Sequence, residues 1–270
     1  MAKRPGTADK SRSTDAGRSY MVSSVDRALT ILEILVDHPH SGVTEIAQHL
    51  GGTKSLAFRL LRTLEARGFV IQDADRRTYS LGYHAVRIGN SAAEQSHLIS
   101  STSSLMDELA ALSHENVNLL IRDGRQLVVV AARQSKQQVR LHSDIGSTGP
   151  LHAGGAAKIL LAYAPESIQD AVLQEPLERF TRSTITEPDE LRHLIKKIRA
   201  EGIHVASNEY EEGAFSVAAP VFDAQGSCIA ALSVTGPLSR FNTQIETELR
   251  QLVSRTSSRM SQRLGHSVAA

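Results

Sequence analysis

Between residues 44 and 64 the chain carries two short apolar stripes at helical spacing on either side of a glycine pair, and few folds accommodate that arrangement. Ile46, Ala47 and Leu50 share one face of a segment that Thr44 can cap, Gly51-Gly52 closes it, and Thr53 can cap the next. In that next segment Ala57, Leu60, Leu61 and Leu64 form a single stripe, so Lys54, Ser55, Phe58, Arg59 and Arg62 lie off the packed face. Upstream, Ser23-Ser24-Val25-Asp26 has the spacing of a capping box. Val25, Ala28, Leu29, Leu32 and Leu35 then recur at helical intervals until Pro39.

Downstream, Phe69–Gln72, a polar tip Asp73-Ala74-Asp75-Arg76-Arg77 and Thr78–Leu81 have the form of a β-hairpin. Helix, glycine turn, helix and hairpin together describe a winged helix-turn-helix. Its last helix suits a major groove about 12 Å wide, and its wing tip, here Arg76 and Arg77, reaches phosphate or a minor groove. Other readings stand beside this one. A basic side chain on a helix is often only a solvated charge, and winged modules also bind proteins. Phe58 either docks on a neighbouring helix or is left out to meet thymine methyl groups.

Composition sets the wider frame. With 270 residues, 41% hydrophobic and 22% charged, the chain is an ordinary globular protein of two domains. A net charge of +1 excludes a general polycation, so any contact with nucleic acid is local. Residues 1–20 hold five basic and two acidic side chains among Ser, Thr and Gly, and are expected to form a disordered basic arm. The lone Cys228 excludes an intrachain disulfide and a cysteine-rich zinc cluster. No signal-like or membrane-length apolar run is present, which places the chain in the cytoplasm without a membrane partner. Nucleophile-elbow, zinc-protease and P-loop motifs are all missing, so no catalytic residue, metal or cofactor is expected, and a small-molecule enzyme with a vestigial helical module, or a metabolite-dependent protein-interaction adaptor, stands only as the alternative to a DNA-binding regulator. His152 could do acid or base work but has no evident nucleophile beside it, and ordering its loop by hydrogen bonding is the simpler role.

Residues 83–97 are polar enough for a linker helix, and Leu98–Leu112 forms a helix with Leu105, Leu109 and Leu112 on one side. Val117, Leu119 and Ile121 alternate, Asp123-Gly124 turns, Leu127–Ala132 returns, and Val139 with Leu141 extends the sheet. From Pro150 the chain passes a glycine-rich stretch into the helix Ile159–Tyr163, which places the N–H groups near Gly155 and Ala156 at a helix N-terminus. Such a terminus attracts carboxylates, though these small residues equally permit close packing of helix on sheet. Thr186-Glu187-Pro188-Asp189 starts a helix that buries Leu191, Leu194, Ile195 and Ile198 and ends at Gly202. Asp223–Gly226 is a hairpin turn, and a last helix runs from Thr243.

Val43–Gly51 and Arg59–Val70 closely resemble the DNA-binding domain of the IclR family of bacterial transcriptional regulators. Gly149–Lys158, Glu209–Gly213, Ala218–Asp223 and Ala231–Pro237 resemble that family's later motifs in the same order. The resemblance implies an α+β chain, with a winged helix-turn-helix over 21–82, a linker helix over 83–97, an effector-binding domain similar to GAF and PAS folds over 98–265, and a tail over 266–270. It implies a regulator that binds double-stranded DNA through Thr53, Lys54, Ser55, Phe58, Arg59, Arg62, Arg76 and Arg77, as a homodimer or dimer of dimers. It further implies a small organic acid held by Gly155, Ala156, Ser216, Ser233 and Thr235, with Leu141 as an apolar wall and Asn208 nearby. Thr53 stands where the family often has proline, Phe58 where His or Tyr is frequent, and Ala206 where some members have an acidic residue.

Overall fold

The computed structural model describes residues 20–267 and divides into two compact units, with the boundary between Ala92 and Ala93. The arm expected over residues 1–20 lies, but for Tyr20, outside the described residues, as do the last three residues of the tail expected over 266–270.

In the first unit, α1 (Ser23–Asp37), β1 (Ser41–Gly42), α2 (Val43–His49) and α3 (Lys54–Ala66) precede a wing of β2 (Val70–Asp73) and β3 (Thr78–Leu81). Its core joins Ile31 and Leu35 of α1, Ile46 of α2, Ala57 and Leu61 of α3, and Val70 and Tyr79 of the wing. Each fully buried Leu or Ile in such a core contributes about 1.5–3 kcal/mol. Gly51 makes the turn from α2 to α3 at φ +62°, a conformation that a Cβ would strain. The Thr53 hydroxyl then caps α3 by accepting from the Leu56 N–H at 3.2 Å.

Three expectations are corrected here. The capping box at Ser23 does not form: the cap is Val22, and Ser23 is already helical, one position too late to serve. The expected α1 stripe is rotated, since Ile31, Ile34 and Leu35 are buried while Val25 and Leu29 are more than half exposed. A helix apolar on two adjoining faces leaves that choice to its neighbours. Thr44 lies inside α2, whose start is fixed by the Glu45 carboxylate accepting from the Gly42 N–H at 2.8 Å. Strand β1, two residues long and paired with β3 through Ser41 and Gly42, has no readable periodicity and was not expected.

Helix α4 (Tyr83–Gln95) buries none of its residues. The second unit opens with α5 (His97–Ser113), β4 (Asn116–Asp123), β5 (Gln126–Arg133) and β6 (Thr148–Pro150). Helices α6 (Gly155–Ala162), α7 (Glu166–Gln174) and α8 (Pro188–Glu201) follow. Strands β7 (His204–Ser207), β8 (Ala214–Phe222) and β9 (Cys228–Pro237) and helix α9 (Thr243–Arg263) complete it. The six strands form one antiparallel sheet in the order β6-β5-β4-β9-β8-β7. Alternation along the strands sends Val117, Leu119, Val217 and Leu232 to one face, against α5 and α9, and Leu120, Val129, Ala218 and Ala231 to the other, against α6, α7 and α8. The fold class is therefore α+β, a helix-turn-helix with a wing and an antiparallel sheet between helices.

Several local expectations fail in this unit. Leu112 is half exposed. Val139 and Leu141 extend no strand, and lie in a connection over 134–147 whose edge role passes to β6. No side chain caps α8; Thr186 instead accepts a hydrogen bond from Arg179 at 2.7 Å. Helix α7 was not anticipated. Gly202, at φ +68°, ends α8 as expected.

Candidate functional site

The first candidate surface is the outer face of α3. Burying Ala57, Leu60, Leu61 and Leu64 turns Ser55, Phe58, Arg59 and Arg62 to solvent, at i, i+3, i+4 and i+7. Phe58 is 49% exposed and turned outward rather than buried against a neighbouring helix. Thr53 and Lys54 are exposed at the helix start. Arg62 forms an exposed ion pair with Glu65 at 2.8 Å, an interaction weak enough to give way to a phosphate. In the wing, β2 and β3 pair from Val70↔Leu81 to Asp73↔Thr78. The Asp73 carboxylate accepts from the Asp75 and Arg76 N–H groups, which tightens the tip and holds that carboxyl below its ordinary pKa. Arg76 and Arg77 are both exposed there, Arg77 at φ +54°.

The second candidate is a cavity of about 400 Å³ at the α6 face of the large sheet. That face is apolar at Leu120 and Ala231 and becomes polar towards one end, because Asn118, Ser216, Ser233 and Thr235 occupy the same alternation. Ser216 is the cross-strand partner of Thr235, and Asn118 that of Ser233. The Asn118 amide donates to the Thr235 hydroxyl at 3.3 Å and accepts from the Ser143 hydroxyl at 2.8 Å. Buried Asn116 holds the 134–147 connection by donating to the Leu141 carbonyl and accepting from the Ser135 N–H, and so sets Leu141 in the cavity wall.

Helix α6 enters this cavity with its N-terminus. The N–H groups of Gly155, Ala156 and Ala157 are those a helix start leaves without intrahelical acceptors. A Cβ on Gly155 would stand 2.6 Å from the Ser216 hydroxyl, so close packing of helix on sheet and an open helix terminus coexist at this residue. One turn on, the fully buried Lys158 ammonium pairs with Glu209 at 2.6 Å, and that carboxylate also accepts from the Gly154 N–H at 3.2 Å. Burial pushes the Lys158 ammonium below its usual pKa against the pull of Glu209. Burial, with Lys158 nearby, lowers His204 to about 3 and so keeps it neutral. The Thr184 hydroxyl fixes Glu209 by donating to its carbonyl at 2.6 Å.

Of the expected ligand residues, Leu141, Gly155, Ala156, Ser216, Ser233 and Thr235 line the cavity. Asn208 does not. It sits at φ +56° with its side-chain oxygen accepting from the Gly213 N–H at 2.7 Å, so its polar group closes the 208–213 turn. Sequence reasoning passed over Asn118, Glu209 and Tyr210, which also line it. The signals were there: a lysine inside an apolar helix demands a buried acid, and Asn116 and Asn118 interrupt an apolar strand. His152 is buried and bonds through Nε2 to the Glu178 carbonyl at 2.9 Å. Burial raises Cys228 to about 12, which makes it inert as a thiolate. Among the described residues no cluster could hold a metal ion, and no helix is long and apolar enough to cross a membrane.

Comparison with known proteins gives two family matches: the IclR helix-turn-helix domain over residues 24–74, and the bacterial transcriptional regulator IclR C-terminal domain over 90–262. The HTH-type transcriptional repressor AllR of Klebsiella pneumoniae is 33% identical over 264 residues, 97% of this chain and 95% of that protein. The crystal structure of an IclR transcriptional regulator from Alicyclobacillus acidocaldarius superposes with a TM-score of 0.85 at 28% identity, covering 91% of this chain and all of that one. An IclR homologue from Microbacterium hydrocarbonoxydans, complexed with 4-hydroxybenzoate, shares the fold with a TM-score of 0.77 at 22% identity over 89% of this chain and 98% of its own.

Proposed function

Because the chain belongs to the IclR family of bacterial transcriptional regulators and is a DNA-binding regulator, we propose that α3 reads its operator and that the cavity beside α6 takes the signal. The observation that carries the DNA half is the outward row Ser55, Phe58, Arg59 and Arg62, opposite the buried stripe of α3. Arg59 and Arg62 donate to base edges or phosphates and Phe58 meets thymine methyls, with Thr53, Lys54 and Ser55 on the backbone at the helix start. Arg76 and Arg77 bind phosphate beside the groove. Residues 21–82 form the DNA-binding region, 83–97 the linker helix and 98–265 the effector region. Two copies place their α3 helices about 34 Å apart on a pseudo-palindromic site. The exposed apolar side chains Val22, Val25, Leu29 and Val36 of the first unit support such pairing. The protein works in the cytoplasm, where its DNA is.

The effector is a small organic acid. Its carboxylate meets the first N–H groups of α6 at Gly155 and Ala156, hydroxyls come from Ser216, Ser233 and Thr235, and Leu141 packs on its apolar part. The carboxylate of the 4-hydroxybenzoate bound by the Microbacterium homologue supports this class. Ligand shifts DNA affinity by its differential affinity for two arrangements of the regulator. The test is selection of duplexes from a random pool, followed by anisotropy titrations with excess nonspecific competitor. Specific binding that survives competitor and moves with added acid is expected. Binding abolished by competitor refutes sequence-specific reading by α3.

A further inference from the structure

The cavity beside α6 has two unlike ends. At one, the start of α6 packs on β8, where a Cβ on Gly155 would stand 2.6 Å from the Ser216 hydroxyl, and the hydroxyls of Ser233 and Thr235 lie beside it. The other end is built by β4 and β5. Among the described residues these strands line the cavity with Asn118, Leu120, Leu127 and Val129, and of the four the polar Asn118 already bonds to Thr235. Leu120 and Val129 are buried cross-strand partners, and Leu127 shares the face of Val129 two residues away.

Distance separates these ends. The strand order β8-β9-β4-β5 puts three strand spacings between Ser216 and Val129, about 14 Å measured across the sheet. Register adds to this, because Val129 lies level with Leu120, Ala231 and Pro220, and Pro220 is a further four residues along β8 from Ser216. An acid of two or three carbons held at α6 spans less than one strand spacing of about 4.8 Å. In a cavity of about 400 Å³ it would leave Leu120, Leu127 and Val129 without a partner atom on the open side.

We infer that the cavity selects its effector by length and apolarity, with Leu120, Leu127 and Val129 as the specificity-determining residues. The effector is a monocarboxylate whose alkyl or aryl body of roughly six to ten carbons reaches from the start of α6 to the leucines of β4 and β5. The inference rests on the reading of the cavity as the effector site and names the class that site takes. Short acids bind at α6 but gain nothing from the apolar end. A diacid of matching length is rejected, because its second carboxylate is desolvated among leucine and valine side chains that offer it no hydrogen bond.

Titration calorimetry on the full chain tests this with acetate, butanoate, hexanoate and octanoate, with glycolate and pyruvate as short polar acids, and with octanedioate as the diacid. Affinity is expected to rise about fourfold for each CH₂ that the cavity buries. Octanedioate is expected to bind about tenfold or more weakly than octanoate. Leu127→Ala trims the apolar end at a partly buried position, and a melting curve confirms that it folds; the series on the parent chain decides the matter in any case. In the variant octanoate loses several-fold in affinity while butanoate keeps its own, whereas general loosening of the cavity would weaken both. Glycolate or pyruvate binding as tightly as octanoate, or octanedioate equalling octanoate, overturns selection by length and leaves the effector site standing. Failure of every acid to bind, or an octanoate affinity unchanged in both Leu127→Ala and Thr235→Val, overturns the cavity reading and this inference with it.

Discussion

Replacing Gly155 with alanine separates the two things that this residue does. Its backbone is helical with no positive φ, so alanine is conformationally allowed, and a Gly→Ala change at such a site gains about 0.4–1 kcal/mol through the unfolded chain. Space opposes that gain. The new Cβ would stand 2.6 Å from the Ser216 Oγ, 3.0 Å from its Cβ and 3.1 Å from its carbonyl oxygen. The hydroxyl can rotate away, but the other two atoms are fixed by β8, which pairs with β7 and β9 on either side of Ser216. The start of α6 must therefore lift, and overpacking of this kind costs about 1–3 kcal/mol. The net expectation is a loss of about 1–2 kcal/mol, or a fall of roughly 2–8 °C in the melting temperature of a unit this size. Urea unfolding followed by circular dichroism, with calorimetric melts, measures it. Ser216→Gly removes one of the two fixed atoms, so combined with Gly155→Ala it should cost less than the sum of the single changes, and a double-mutant cycle reads that coupling. A Gly155→Ala protein as stable as the parent, or more stable, would refute the close approach of α6 to β8.

Arg59→Ala should weaken binding to the selected operator by about 1–3 kcal/mol while leaving nonspecific binding nearly unchanged; equal losses on both make it a backbone contact. Arg76→Ala/Arg77→Ala should lower the slope of log affinity against log salt by about 0.9 for each lost phosphate contact, and an unchanged slope in the folded variant removes the wing from the interface. His204 has a folded pKa of about 3 against 6.5 in the unfolded chain, so the unfolded state binds the extra proton in that window. Stability should therefore fall as pH drops from 6.5 towards 3, by up to about 1.4 kcal/mol per pH unit, and His204→Leu should flatten this fall. Parallel stability profiles of parent and variant over that range would show that His204 is not the group responsible.

Much of the α3 unit was legible because its determinants are local. The stripe Ala57, Leu60, Leu61 and Leu64, the Thr53 cap and the hairpin each lie within one short stretch of the chain, and together they dictate which side chains face outward. Family motifs carried the reading into the second unit and brought six of seven expected residues to one cavity. Asn208 failed because its likeness to a motif said nothing of the turn that consumes its side chain.

By itself the sequence determined periodicity, turns, the order of elements and the absence of a general positive charge, all properties of neighbouring residues. Tertiary structure alone decided which face of α1 is buried, because that helix is apolar on more than one side. It also decided that Leu141 lies in a wall rather than a strand, held there by Asn116. The pairing of Lys158 with Glu209 and the contact of Asn118 with Thr235, 117 residues apart, belong to the same class. No local propensity encodes such meetings; they follow from the strand order of the sheet and from the cost of leaving a buried polar group alone.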